Sequence, residues 1–183
     1  MRILAISGSL RAHSSNTALL QAVSRIAPAG MDLVLFQGLR ELPHFDPDLD
    51  AEGLMPPPAV ARLREQVSAA DGLIICSPEY AHGVPGALKN ALDWLVSDPD
   101  FVGKPVLLWN ASAAGGEYAQ SSLLETLRTM SARVLEEACL QEPFLKKKLV
   151  PGGQLPEEAA RAVRSSLLAL AGAASGAKAR AGQ

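Results

Sequence analysis

Six short hydroxyl or amide side chains crowd into eleven positions near the start of the chain: Ser7, Ser9, Ser14, Ser15, Asn16 and Thr17. Arg11 stands among them, and a helical pattern begins at once. A helix start offers unpaired N–H groups and a partial positive charge, which suits a phosphate. The hydroxyls add donors, and Arg11 adds charge and a planar fork. The alternative is a plain capping cluster, with Ser14 or Ser15 closing the helix and nothing bound. Capping needs one such residue, so six with an arginine favour the anion. Neither GxxxxGK[ST] nor GxGxxG is present, and no cysteine lies in the loop. These absences argue against a nucleotide triphosphatase, a dinucleotide fingerprint and a cysteine phosphatase. A loop that holds a phosphate without transforming it is what remains.

A second loop follows the apolar run GLIIC and contains Ser77, Pro78, Glu79, Tyr80, Ala81, His82, Gly83, Pro85 and Gly86. Its prolines and glycines fix the backbone and let a flat ligand approach closely. A flat heterocycle needs backbone donors and acceptors at its edge more than it needs reactive side chains. Glu79 could act as a general acid or base, but a lone carboxylate at this position reads first as structural or solvated. His82 reads as a solvated loop residue, with substrate contact as the alternative. A third loop, NASAAGGEY at 110 to 118, carries Gly115 and Gly116, a pair that again permits close approach to something planar.

Three loops of this kind need a sheet to present them. Strand-like segments at 2–7, 31–36, 72–77, 104–110 and 132–140 alternate with helical ones at 15–28, 59–70, 85–97, 116–131 and 156–172. The strands are continuous apolar runs, which suit a parallel sheet covered on both faces. Right-handed crossovers then give a three-layer, doubly wound α/β sandwich. In the flavodoxin-like strand order 2-1-3-4-5 the switch point lies between strands one and three. Those strands end in the first two loops. Leu88, Leu92 and Leu95 mark the inner face of helix three, and Ala160, Val163, Leu167 and Leu170 that of helix five. Lys89 and Asp93 are spaced as a helix-surface pair, and Trp94 reads as packing in the core or at a subunit contact. A long Pro- and Asp-rich connection spans 42–58. Residues 1–172 read as a single domain and 173–183 as a flexible tail.

Composition narrows the remaining classes. A length of 183 residues with 48% hydrophobic and 20% charged content supports one ordinary globular core. A net charge of −2 and 4% aromatic content give no footing for nucleic acid or an acidic membrane. With no signal-peptide pattern and no apolar stretch of spanning length, a cytoplasmic location is expected. Cys76 and Cys139 read as buried filler outside any CxxC. The histidines at 13, 44 and 82 lack metal-ligand spacing, so no metal is expected.

The chain resembles the NADPH-dependent FMN reductase family, the flavodoxin-like quinone, azo and chromate reductases, from residue 1 to about 170. GSLRAHSSN at 8–16 is similar to that family's GSLRxxSxN phosphate loop. PEYAHGVPGALKNALDW at 78–94 is similar to its PEYNxxxPGxLKNAxDW signature. The resemblance implies FMN, with Ser9, Arg11, Ser14, Ser15 and Asn16 around its phosphate. Pro78, Glu79, Tyr80 and Ala81 would line the isoalloxazine through their backbone, and Ser112, Gly115 and Gly116 would approach its other edge. It implies NADPH or NADH as co-substrate and a ping-pong transfer to a small acceptor (quinone, azo compound, metal oxyanion such as chromate, or flavin). The chemistry would lie on the flavin N5, with no catalytic side chain, in a homodimer or homotetramer. Ala81 departs from the family's asparagine, which removes an amide side chain from the flavin edge. Two other readings fit the chain: an electron carrier of flavodoxin type, and a flavin-poor binding or regulatory module.

Overall fold

The computed structural model describes residues 1–111, 116–140 and 154–181. Five parallel strands, β1 (Arg2–Ser7), β2 (Asp32–Phe36), β3 (Gly72–Cys76), β4 (Pro105–Trp109) and β5 (Arg133–Val134), form one sheet in the order β2-β1-β3-β4-β5. The helices are α1 (Ser15–Ser24), α2 (Pro58–Ser68), α3 (Gly86–Asp93), α4 (Glu117–Thr129) and α5 (Glu157–Ala181). This is the expected flavodoxin-like order.

Side chains alternate across a strand, so each central strand supplies two cores. Leu4, Ile6, Leu73, Ile75, Val106 and Leu108 pack with residues of α2, α3 and α4, including Leu63, Leu88, Leu92 and Leu123. Their neighbours Ile3, Ala5, Ile74, Cys76, Leu107 and Trp109 pack with Leu20 and Val23 of α1 and Val163, Leu167 and Leu170 of α5. The sheet is thereby sealed on both sides, and its open face is the row of loops at the strand C-termini.

Two elements differ most from expectation, while α1 and α3 each end four residues early, at Ser24 and Asp93. Strand five is short: β5 ends at Val134, a 3-10 turn covers Glu136–Ala138, and among the described residues pairing resumes as the Leu140–Trp109 bridge. Consecutive Glu136 and Glu137 in a regular strand would send one carboxylate toward each packed face. Helix five is long: it continues to Ala181 where a tail was expected from 173, with Ala173 and Ala174 buried against the fold. Alanine is the best helix former, so a small-residue segment with a docked face extends the helix.

The 42–58 connection is pinned to α3. Asn90 Nδ2 and Trp94 Nε1 both donate to Pro43 O, each at 2.9 Å, and Phe45 N donates to Asn90 Oδ1 at 2.7 Å. Phe45 meets Trp94 edge-on at 5.0 Å. Further along, Arg64 pairs with Asp50 at 2.7 Å, and Ser97 donates to the same carboxylate at 2.6 Å. Cys139 is half-buried and accepts from Leu108 N at 3.2 Å, so it is more than apolar filler.

Candidate functional site

The loops after β1, β3 and β4 leave the sheet side by side. Gly8 N donates to Cys76 O at 2.9 Å, and Ser77 N donates to Trp109 O at 3.0 Å. The first two loops touch closely: a Cβ on Gly8 would lie 2.9 Å from Leu88 Cδ2 and 3.0 Å from Ser77 Oγ. That approach explains the glycine at the exit of β1.

In the first loop the hydroxyls divide into two groups. Ser14 is buried and caps α1, accepting from Thr17 N at 3.3 Å, while Ser7 and Thr17 join hydroxyl to hydroxyl at 2.8 Å. Ser9, Arg11 and Ser15 remain accessible around the α1 N-terminus. The turn is held by Arg11 N donating to Ser9 Oγ at 3.3 Å and by Arg40 donating to Leu10 O at 2.7 Å. Ser14 is therefore the cap, and Ser9, Arg11 and Ser15 are the members of the cluster left accessible.

Asn16 faces inward and is 2% exposed. Its Oδ1 accepts from Cys76 Sγ at 3.0 Å and from Ala111 N at 3.0 Å, joining the start of α1 to the ends of β3 and β4. Burial pushes the Cys76 thiol far above its ordinary pKa, so it stays neutral and donates. One amide oxygen thus holds all three loops in register.

The second loop is a two-residue hairpin. Tyr80 and Gly83 exchange backbone bonds in both directions, at 3.1 and 2.9 Å. Ala81 (φ 49°) and His82 (φ 58°) both adopt left-handed backbone at its tip. Positive φ at both central positions is the type I′ pattern, which favours Asn followed by Gly. The asparagine of the family signature thus has a conformational reason to stand at position 81, independent of any contact its amide makes. Ala81→Asn or Ala81→Gly should relieve this strain and raise stability by about 0.5–1 kcal/mol in urea unfolding of the apoprotein.

Three contacts fasten the hairpin. Glu79 Oε2 accepts from Ala119 N in the first turn of α4 at 2.9 Å. The His82 ring stacks on Tyr118 at 4.2 Å and 16°. Tyr80 Oη lies 3.4 Å from Ser9 Oγ, bridging the first and second loops. Pro78 is buried, whereas Tyr80, Ala81 and His82 are exposed. His82 is therefore stacked and not simply solvated, and Glu79 is a helix cap. Of the third loop, Ser112 and Gly115 lie outside the described residues. Gly116 opens α4, and a Cβ there would fall 1.6 Å from Asn110 Nδ2. The space beside this glycine is filled by the Asn110 amide. Asn16, Asn110, Tyr118 and Ala119 act in the site in ways that sequence reasoning missed.

A parallel sheet in this order, with a hydroxyl-rich helix start and a hairpin meeting at the switch point, defines a flavodoxin-like α/β protein. The chain belongs to the NADPH-dependent FMN reductase family, whose model matches residues 1–143. It is 37% identical over 165 residues to an NAD(P)H-dependent FMN reductase of Pseudomonas aeruginosa, covering 88% of each chain. To a quinone reductase of Escherichia coli strain K12 it is 35% identical over 155 residues, 82% of each. Among solved structures it is similar to the flavoenzyme NAD(P)H:(acceptor) oxidoreductase FerB of Paracoccus denitrificans, with a TM-score of 0.80 and 23% identity over 95% of this chain and 97% of that one. An azoreductase of Bacillus anthracis gives a TM-score of 0.55 at 17% identity, over 95% and 98%. These two structural likenesses speak to the fold.

Proposed function

We propose that the chain is an FMN-dependent oxidoreductase that passes reducing equivalents from NADPH or NADH to a small acceptor such as a quinone, an azo compound, a metal oxyanion or a flavin. The observation that supports this is the meeting of the loop at the accessible α1 N-terminus with the hairpin after β3, with Tyr80 Oη 3.4 Å from Ser9 Oγ. The donor set fits FMN. Ser9, Arg11 and Ser15 would take the phosphate directly, while Ser14 and Asn16 fix the loop that presents it. Pro78, Glu79, Tyr80 and Ala81 would border the ring through their backbone, with Gly116, Ser112 and Gly115 on the opposite side. Bound FMN supplies two-electron transfer that no side chain here can perform. The chain's own work is to bind, orient and hold off competing groups, and donor and acceptor would take turns at the one site.

Family membership and the small-molecule relatives support an enzyme over a carrier protein. No helix among the described residues is long and apolar enough to cross a membrane; a cytoplasmic location is part of the proposal. For the homodimer or homotetramer, support comes from exposed Leu49 (45%), Leu54 (56%), Met55 (92%) and Val96 (64%). The bond from Ser97 to Asp50 ties the connection that carries Leu49 to the chain just after Val96, and exposed apolar side chains of this kind suit a subunit contact.

The test is an absorbance spectrum of purified protein with added FMN, followed by anaerobic NADPH or NADH. Uptake and bleaching of flavin absorbance are expected; a colourless protein that refuses FMN would overturn the reading. Slow bleaching by both nicotinamides would favour an electron carrier. Arg11→Ala should raise the FMN Kd about tenfold, the size of one lost charge-assisted contact, without shifting thermal unfolding.

A further inference from the structure

We infer that Glu79, together with the His82–Tyr118 stack, is a positioning clamp that fastens the strained hairpin to the first turn of α4, so that the hairpin backbone is set before FMN arrives. This rests on the FMN reading above and adds to it a role for residues that need not touch the cofactor through their side chains.

The argument begins at α4. Its N-cap is Gly116, which has no side chain to accept from the first-turn amides. A serine or aspartate at that position would ordinarily accept from the second or third helical N–H. Ala119 is the third helical residue, and its N–H is taken by Glu79 from a different element, 40 residues away. The carboxylate also meets the positive end of the helix dipole. Glu79 is a cap supplied from outside the helix.

The hairpin needs such a restraint. Ala81 and His82 both sit in a backbone region that residues with a Cβ avoid, and nothing in the dipeptide Ala-His insists on it. A conformation of this kind persists only where its surroundings over-determine it. The two contacts hold the strained pair from one side and from within: Glu79 lies two residues before Ala81, and His82 is the second of the pair. Their partners Tyr118 and Ala119 are adjacent on α4, so hairpin and helix start form one unit. Without the clamp, a fraction of molecules would hold the hairpin in another basin, and FMN affinity would fall by that fraction.

The experiment is FMN titration of apoprotein, read by quenching of flavin fluorescence, with amide hydrogen exchange on the same samples. Glu79→Ala should raise the FMN Kd five- to tenfold. Glu79→Gln keeps an acceptor oxygen and should stay within about threefold of wild type. Tyr118→Ala should cost about two- to threefold. In Glu79→Ala the amides of Ala119 and Gly83 should lose protection together, because Gly83 N is held by the hairpin alone. A cap that served only α4 would free Ala119 and leave Gly83 protected. That result, an unchanged Kd in Glu79→Ala, or no rescue by glutamine would each overturn the clamp. Should Glu79→Ala not fold, wild type and Glu79→Gln carry the test, and an unprotected Ala119 amide in wild type overturns it. If wild type takes up no FMN, the proposed function fails while the exchange measurement still decides the clamp.

Discussion

Asn16→Ala is expected to destabilise the chain by about 2–4 kcal/mol and to weaken FMN binding by more than tenfold. The substitution removes one oxygen and strands two donors, Cys76 Sγ and the Ala111 N–H. A buried amide left without a partner costs about 1–3 kcal/mol, and the emptied volume adds to that. The thiol cannot escape by ionising, because burial holds its pKa far above the ordinary value. The functional loss has a separate origin. Asn16 is where the start of α1 is locked to the ends of β3 and β4, so its removal lets the phosphate-type loop and the hairpin drift apart. Asn16→Asp keeps the acceptor but buries a carboxylate, and it should be nearly as damaging at neutral pH. Urea unfolding and FMN titration of both variants check these expectations. A wild-type unfolding midpoint in Asn16→Ala would show that the bonds from Cys76 and Ala111 carry no net stability.

Asn16 also shows what could be read from the sequence and what could not. Its place in a hydroxyl-rich helix start was evident from neighbouring residues, and so was its grouping with the phosphate loop. The direction of its amide oxygen depends on partners 60 and 95 residues away, which only the completed sheet brings together. The same division recurs elsewhere. The strands and both helical layers are legible from local apolar runs, while the strand order and the switch point rest on the doubly wound flavodoxin-like pattern that such an alternation of elements adopts. Glu79 was recognised as more structural than reactive, yet its target on α4 required the tertiary fold. At Ala81 the departure from the family signature was visible, but its backbone meaning appeared only with the left-handed φ. The end of α5 is not legible in the sequence because its small, polar residues read as a frayed tail, while the burial of Ala173 and Ala174 is a tertiary fact.

Trp94→Ala is expected to cost about 3–5 kcal/mol, the range for deleting a buried tryptophan. Trp94 is fully buried at the end of α3, in the core shared by α2, α3 and α4. The loss should reach beyond the core, because the indole also holds the 42–58 connection through Pro43 O and the edge of Phe45. Trp94→Phe separates these effects. It keeps most of the apolar volume and removes the indole donor, so it should cost about 1–2 kcal/mol. Asn90 still grips Pro43 O in that variant, so the connection should stay in place. Urea unfolding reads the energies, and limited proteolysis within 42–58 reads the connection, with rapid cleavage expected for Trp94→Ala and near wild-type resistance for Trp94→Phe. The exposed Leu49, Leu54 and Met55 ride on this segment, so the oligomer proposed above should dissociate at higher protein concentration in Trp94→Ala, as measured by sedimentation. An oligomer that survives proteolysis-sensitive loosening of 42–58 would place the subunit contact elsewhere on the molecule.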